Sequence, residues 1–290
     1  MQARSRVAWI AGLCTLGLVT GCERLLSLRD PIPGDGSDSG DLIDGGLSSG
    51  SPLLLSEVVL TPNAGEMIEI VNTSADDVDL ATYYLSDSGN YYRLPVSATV
   101  DVNDFIVKFR VGARIKGHEA LTIAIDTPAN FATQYSKSPS FSLMDDTLDK
   151  IAMNGTPQLT NTGEPIILFQ WDGRSDLVRD VDIMIVGAPT AANPLPDKSG
   201  MSQDGPDAGN LPSTYATEAH ALKPQAATPG AGVSTKRIAL ENVGNEHTGS
   251  GNGQSGDDET SEDTSLTWDG TAALPFSAPT PGDVPPALLR

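Results

Sequence analysis

The chain has 290 residues, with 18 Lys and Arg against 38 Asp and Glu, and a formal charge of −20. That charge repels phosphate backbones and sets nucleic acid aside as a direct partner. The two Cys, Cys14 and Cys22, sit near the N-terminus, so the body holds neither a Cys-based zinc site nor a bracing disulfide. Three His, at 118, 220 and 247, leave little for a His-rich metal site. The 29 Gly and 21 Pro point to abundant turns and away from long helical bundles.

Arg4 and Arg6 form a positive region ahead of an uncharged apolar run from Val7 to Val19. The run is shorter than the ~20 residues that a spanning helix needs. It ends in Leu18-Val19-Thr20-Gly21-Cys22, which resembles a bacterial lipobox. The small residues give a peptidase access to the backbone, and the Cys22 thiol becomes the thioether that carries lipid. The expectation is a lipoprotein signal peptide over 1–21 and a mature chain that starts at lipidated Cys22. Acyl chains then make the membrane its first partner without a transmembrane helix. Residue 23 is Glu and not Asp. By resemblance to Gram-negative sorting, this favours the outer membrane over the inner, with the protein in the cell envelope.

Residues 22–51 read as a Gly/Ser/Asp tether too polar to bury a core. Asp35, Asp38, Asp41 and Asp44 lack the ligand spacing and closing Glu of a calcium-binding EF-hand loop.

From residue 53 the pattern becomes short apolar runs between turn residues. The runs are 53–60, 67–71, 81–85, 91–94, 105–111, 121–125, 166–171, 178–186 and 237–240. Several alternate, as in Met67-Ile68-Glu69-Ile70-Val71, and Val, Ile, Tyr and Thr are frequent. Asp172-Gly173 fits a hairpin turn after the run ending at Trp171. One short helix is expected at 128–135. About seven to nine short strands with no sustained helical period predict an all-β sandwich.

The runs also carry motifs. Leu55-Ser56-Glu57-Val58-Val59 leads to Pro62, and Glu66-Met67-Ile68-Glu69-Ile70-Val71-Asn72 reads E-x-x-E-I-x-N. Val78-Asp79-Leu80 opens a run that ends in Leu85-Ser86-Asp87. Later come Thr162-Gly163-Glu164-Pro165-Ile166-Ile167-Leu168, Asp180-Val181-Asp182-Ile183, and Gly232-Val233-Ser234-Thr235-Lys236-Arg237. Trp268 and Thr280-Pro281-Gly282 close the series. In this order the motifs resemble the lamin-tail domain family. The family's Gly-Trp is Thr82-Tyr83 here, and the chain carries insertions at about 186–231 and 241–265. The resemblance implies an immunoglobulin-like β-sandwich over 52–283 with a C-terminal tail at 284–290. In bacteria it implies an extracytoplasmic module. Glu57, Glu69 and Asp79 lie beside buried strand positions, where carboxylates cap turns and accept loop N–H groups.

Four features compete as functional sites. Gly251, Gly253 and Gly256 spell G-x-G-x-x-G, but polar filler precedes them and acidic residues follow, which suits a loop and repels pyrophosphate. Asp257, Asp258, Glu259, Glu262 and Asp263 suit a hard cation such as Ca²⁺, or else form a solvated loop. Tyr83, Tyr84, Tyr91 and Tyr92 flank a loop and offer either cross-strand packing or an outward platform for a sugar or protein. Lys108, Arg110, Arg114 and Lys116 gather positive charge that either balances the acidic surface or meets lipid phosphates. His118-Glu119 lies between strands and reads as a surface turn.

There is no Gly-x-Ser-x-Gly, His-Glu-x-x-His, Walker loop or Cys nucleophile. Two carboxylates brought together only by the fold would suffice for a glycosidase, so that alternative stays open. The expected function is a non-enzymatic binding, adhesion or structural module with no cofactor and a protein or polysaccharide of the cell envelope as its ligand; the alternatives are a calcium-stabilised adhesin and that extracytoplasmic hydrolase.

Overall fold

The computed structural model describes residues 51–187, 196–218, 226–242, 245–246, 250–253, 256 and 258–290. The expected signal peptide, Cys22 and all of the tether before Ser51 lie outside the described residues, as do Asp257, His220 and His247.

The first half supplies β1 (Leu53–Val59), β2 (Met67–Asn72), β3 (Val78–Asp79), β4 (Tyr83–Ser86), β5 (Phe105–Phe109), β6 (Arg114–Ile115) and β7 (Ala120–Ala124). One helix, α1 (Pro128–Tyr135), follows. Then come β8 (Phe141–Ser142), β9 (Leu148–Met153), β10 (Gly163–Gln170), β11 (Arg179–Gly187), β12 (Ser202–Gln203), β13 (Ser213–Thr214) and β14 (Thr235–Lys236). Two five-stranded sheets result, in the orders β14-β1-β2-β7-β8 and β11-β10-β4-β5-β9. All neighbours in them are antiparallel except β7 and β8. Two small ribbons, β3-β6 and β12-β13, complete an all-β sandwich.

The alternation read from the sequence decides which side chains meet. Leu53, Leu55, Ile68, Ile70 and Ile123 of the first sheet join Leu85, Phe105, Val107, Phe109, Ile166 and Leu168 of the second in one buried core. Each such Leu, Ile or Phe contributes roughly 1.5–3 kcal/mol by leaving water.

The outer faces are covered as well. On the second sheet, Tyr84, Ile106, Ile167 and Phe169 pack with Tyr91, Tyr92 and Tyr215. On the first, Phe131 of α1 covers Val59, Met67 and Ala124. The helix starts where expected because Thr127 caps the Asn130 N–H and Pro128 sits in its first turn. Leu288 packs on Leu54 and Val71, and the Arg290 N–H reaches the Thr73 carbonyl at 2.8 Å. The expected tail at 284–290 is therefore part of the packed domain.

Other expectations need correction. The run 91–94 is no strand: Tyr91–Arg93 forms a 3-10 turn that buries both tyrosine rings. The run 237–240 is no strand either: β14 ends at Lys236, and Arg237 adds only an isolated bridge to Trp268 and an N–H bond to the Ser56 carbonyl. The edge strand β9 was not expected, because Asp149, Lys150 and Ile151 are exposed and hide its alternation. The described part of the 186–231 insertion is built into the domain, with Lys198 and Tyr215 fully buried. Among the described residues, no helix is long and apolar enough to cross a membrane.

Candidate functional site: a buried carboxylate cluster

The polar residues of the motifs are spent largely on internal contacts. The pairing of β1 slips between Leu55 and Glu57. Asp182, from the opposite sheet, accepts the Leu55 N–H at 2.5 Å, and Arg237 Nε donates to the Leu55 carbonyl at 2.8 Å. Arg237 also holds Asp182 at 2.7 and 2.9 Å and Glu246 at 2.6 Å, and lies 5.1 Å from the Trp268 ring. Burial pulls this guanidinium down, but Asp182, Glu246 and Glu241 outweigh it and hold it above its ordinary value.

Glu57 and Glu69 are cross-strand partners on β1 and β2, and both are buried. Glu57 accepts the Ser234 hydroxyl at 2.5 Å and the Thr280 N–H at 2.9 Å. Glu69 accepts the Ser56 hydroxyl at 2.9 Å and the Gly282 N–H at 2.6 Å. Gly282 has φ +81, a conformation that favours glycine. Asp79 caps the Ala81 N–H at 2.9 Å. Glu57, Glu69 and Asp79 thus all accept turn or loop N–H groups.

A second ionic group was not legible in the sequence. Lys198, fully buried, lies 2.5 Å from both Asp180 and Glu218, and Tyr91 donates to Asp180 at 2.6 Å. Burial lowers the Lys198 ammonium, but the two carboxylates outweigh it and keep it charged.

The motif carboxylates Asp87 and Glu164 converge on one place with Asp104, which no motif contains. Asp87 follows β4, Asp104 precedes β5, and Glu164 is the second residue of β10. One carboxylate oxygen of each lies within 4.8 Å of the others. Asp87 is 2% exposed; its Oδ1 accepts the Phe105 N–H at 2.7 Å, and its Oδ2 has no partner. Glu164 accepts the Thr160 N–H at 2.7 Å. Beside them Glu66, also 2% exposed, accepts the Leu159 N–H at 3.0 Å and leaves Oε1 without a partner. A cleft of about 410 Å³ opens here, lined by Asp101, Asn103, Asp104, Leu159, Thr160 and Asn161 among others.

The charged neighbours that shift these groups most are acidic. Burial, then Asp104 and Glu164, push Asp87 well above its usual range. Burial, then Glu164 and Asp126, push Glu66 up to about 8. Glu164 rises to about 7 through burial and Asp104, and Asp104 to about 6 through burial and Asp101. Such an arrangement disfavours the ionised carboxylates unless a cation joins them.

The sites expected from the sequence fall elsewhere. Tyr83, Tyr84, Tyr91 and Tyr92 are all buried, so they form no outward platform. Tyr83 joins the inter-sheet core and donates to Ser51 at 2.8 Å, while Tyr84 stacks on Phe169 at 5.2 Å. In the acidic run, Asp258, Glu259 and Glu262 are buried and form no solvated loop, and Asp263 caps the Ser265 N–H. Glu262 gathers with Glu241 and Glu246, a group that Arg237 already serves through Glu241 and Glu246. Gly251 lies in a bend and Gly256 in a 3-10 stretch, and among the described residues no strand immediately precedes them and no α-helix follows. Arg110 pairs with Asp149 and Arg114 with Asp79 at the surface, and Lys108 lies over the Tyr84 ring. His118 sits at φ +58 in its turn, with Nε2 3.2 Å from the Arg290 carbonyl.

The comparisons with known proteins add the following. No family model matches the chain. No curated protein matches it. Among solved structures it is similar to a DUF4876 family protein from Bacteroides thetaiotaomicron VPI-5482, at a TM-score of 0.40 and 14% identity, over 81% of this chain and 72% of that one.

Proposed function

We propose that this is a lipid-anchored envelope protein that presents a lamin-tail-like β-sandwich as a non-catalytic binding, adhesion or structural module. The anchor is Cys22 after cleavage of 1–21, the spacer is the Gly/Ser/Asp stretch up to 51, and the outer membrane is its expected address. The observation that carries the non-catalytic part is the use of the motif residues. Glu57, Glu69, Asp182 and Arg237 hold the sandwich together and are buried. Residues consumed in this way serve scaffolding, and recognition then falls to the loops.

The competing hydrolase reading needs two carboxyls about 5–5.5 Å or about 6.5–9.5 Å apart. One oxygen of each of Asp87, Asp104 and Glu164 lies within 4.8 Å of the others, the spacing of oxygens that share a cation.

Metabolic labelling with an alkyne fatty acid tests the anchor. The wild-type chain should incorporate label and fractionate with membranes, and Cys22→Ser should do neither. Equal labelling of Cys22→Ser would overturn the reading.

A further inference from the structure

We propose that Asp87, Asp104 and Glu164 are ligands of one divalent cation of the calcium class, held where β4, β5 and β10 begin or end. This deepens the reading of the protein as a non-catalytic extracytoplasmic module, and it moves the expected calcium site away from residues 257–263.

The geometry carries the assignment. Calcium binds oxygens at about 2.3–2.6 Å, so two ligands of one ion stand up to roughly 5 Å apart. The three carboxylate oxygens fall inside that limit. The cluster contains no sulfur or imidazole, so it suits a hard cation and not zinc or copper.

An acidic cluster alone is no site, and the decisive feature here is an unsatisfied buried oxygen. Asp87 is 2% exposed, and its Oδ2 has no hydrogen-bond partner. A buried carboxylate oxygen with nothing to bind is costly, and proteins rarely leave one. Glu66 Oε1, equally buried and equally unpartnered, adds a second unsatisfied carboxyl oxygen beside the group.

The carboxylates are also preoriented. Asp87, Glu164 and Glu66 each hold one backbone N–H, from Phe105, Thr160 and Leu159. Such contacts fix the side-chain direction, as the outer partners of metal ligands do. Asp104 is only partly buried and lines the cleft with Asp101, Asn103 and Asn161. The cleft supplies an entry path and room for the water or carbonyl ligands that complete six to eight oxygens. Ion binding here would tie together the end of β4, the start of β5 and the start of β10, three adjacent strands of one sheet.

The test is equilibrium dialysis of the full chain in detergent against ⁴⁵Ca²⁺ after stripping with EGTA. The expected result is one calcium per chain, with a Kd no weaker than the about 10⁻⁴–10⁻³ M of extracellular modules. Asp87→Asn and Asp104→Asn should each weaken binding at least tenfold, while Glu262→Gln should leave it unchanged. Asp104 is part-exposed, so Asp104→Asn keeps the test valid where Asp87→Asn fails to fold. No binding at millimolar calcium would overturn the proposal. Binding that survives Asp104→Asn and is lost in Glu262→Gln would also overturn it, in favour of the Glu241–Glu246–Glu262 group. Failure here with Cys22 labelling intact refutes the ion site and spares the anchored module; the reverse pattern refutes the anchor alone.

Discussion

Asp182 and Arg237, 55 residues apart in the chain, grip the two sides of the same peptide residue: Asp182 accepts the N–H of Leu55, and Arg237 donates to its carbonyl. They do so where β1 slips register, so a slip that would orphan backbone groups inside the sandwich is satisfied by an ion pair. Arg237→Met would leave Asp182 and Glu246 charged and unpaired in the core. Removing one partner of such a buried pair costs about 3–5 kcal/mol. Urea unfolding should show a loss of that order. Arg237→Lys should rescue only part of it, because one ammonium cannot serve Leu55, Asp182 and Glu246 together. A loss under about 1 kcal/mol in Arg237→Met would contradict the clamp.

The Glu57–Glu69 pair predicts a pH dependence. Burial, with Glu57 and Asp283 nearby, raises Glu69 to about 7, despite the Gly282 N–H and the Ser56 hydroxyl. Burial also raises Glu57, against Ser234, Thr280 and Lys236. Lys137, which pairs with Asp283 and holds the Pro281 carbonyl, is a second cation at this seam. A carboxyl whose folded value is raised favours the fold while protonated. Its contribution is complete below about pH 4.5 and is lost as pH rises through about 7. Thermal stability in EGTA should therefore fall between pH 5 and pH 8. Glu69→Gln, which keeps an acceptor and removes the charge, should flatten that slope. An unchanged slope in Glu69→Gln would contradict the assignment.

Lys198 anchors the 196–218 segment to Asp180 of the second sheet and pairs with the segment's own Glu218. Lys198→Met should cost about 3–5 kcal/mol, since two buried carboxylates lose their cation. Tyr91→Phe removes only the hydroxyl that donates to Asp180 and should cost about 1–3 kcal/mol. Chemical denaturation of both variants checks the order; a larger loss in Tyr91→Phe would reverse the account of this group.

Where local pattern sets the structure, the sequence was legible. β2 alternates over Ile68-Glu69-Ile70, β10 carries the apolar run that starts at Ile166, and α1 carries its own start signals in Thr127 and Pro128. The cap roles of Glu57, Glu69 and Asp79 also followed from their place beside strand residues. Illegible were the elements fixed by distant partners. Charge in Lys198, Arg237, Asp258 and Glu262 reads as surface, because only the fold supplies what lets it be buried. The tyrosines at 91 and 92 carry strand propensity, yet packing against Phe169 and Tyr215 turns them into a 3-10 turn. Asp87 and Glu164 were visible as motif residues, and nothing in a single sequence joins positions so far apart.

Thermal unfolding of the full chain in detergent, with EGTA and then with millimolar calcium, tests the central claim most directly. A cation that binds only the folded state must stabilise it. The wild-type Tm should rise by several degrees with calcium, and that of Asp104→Asn should not move. An unchanged wild-type Tm, or an equal rise in Asp104→Asn, would contradict a calcium site at Asp87, Asp104 and Glu164.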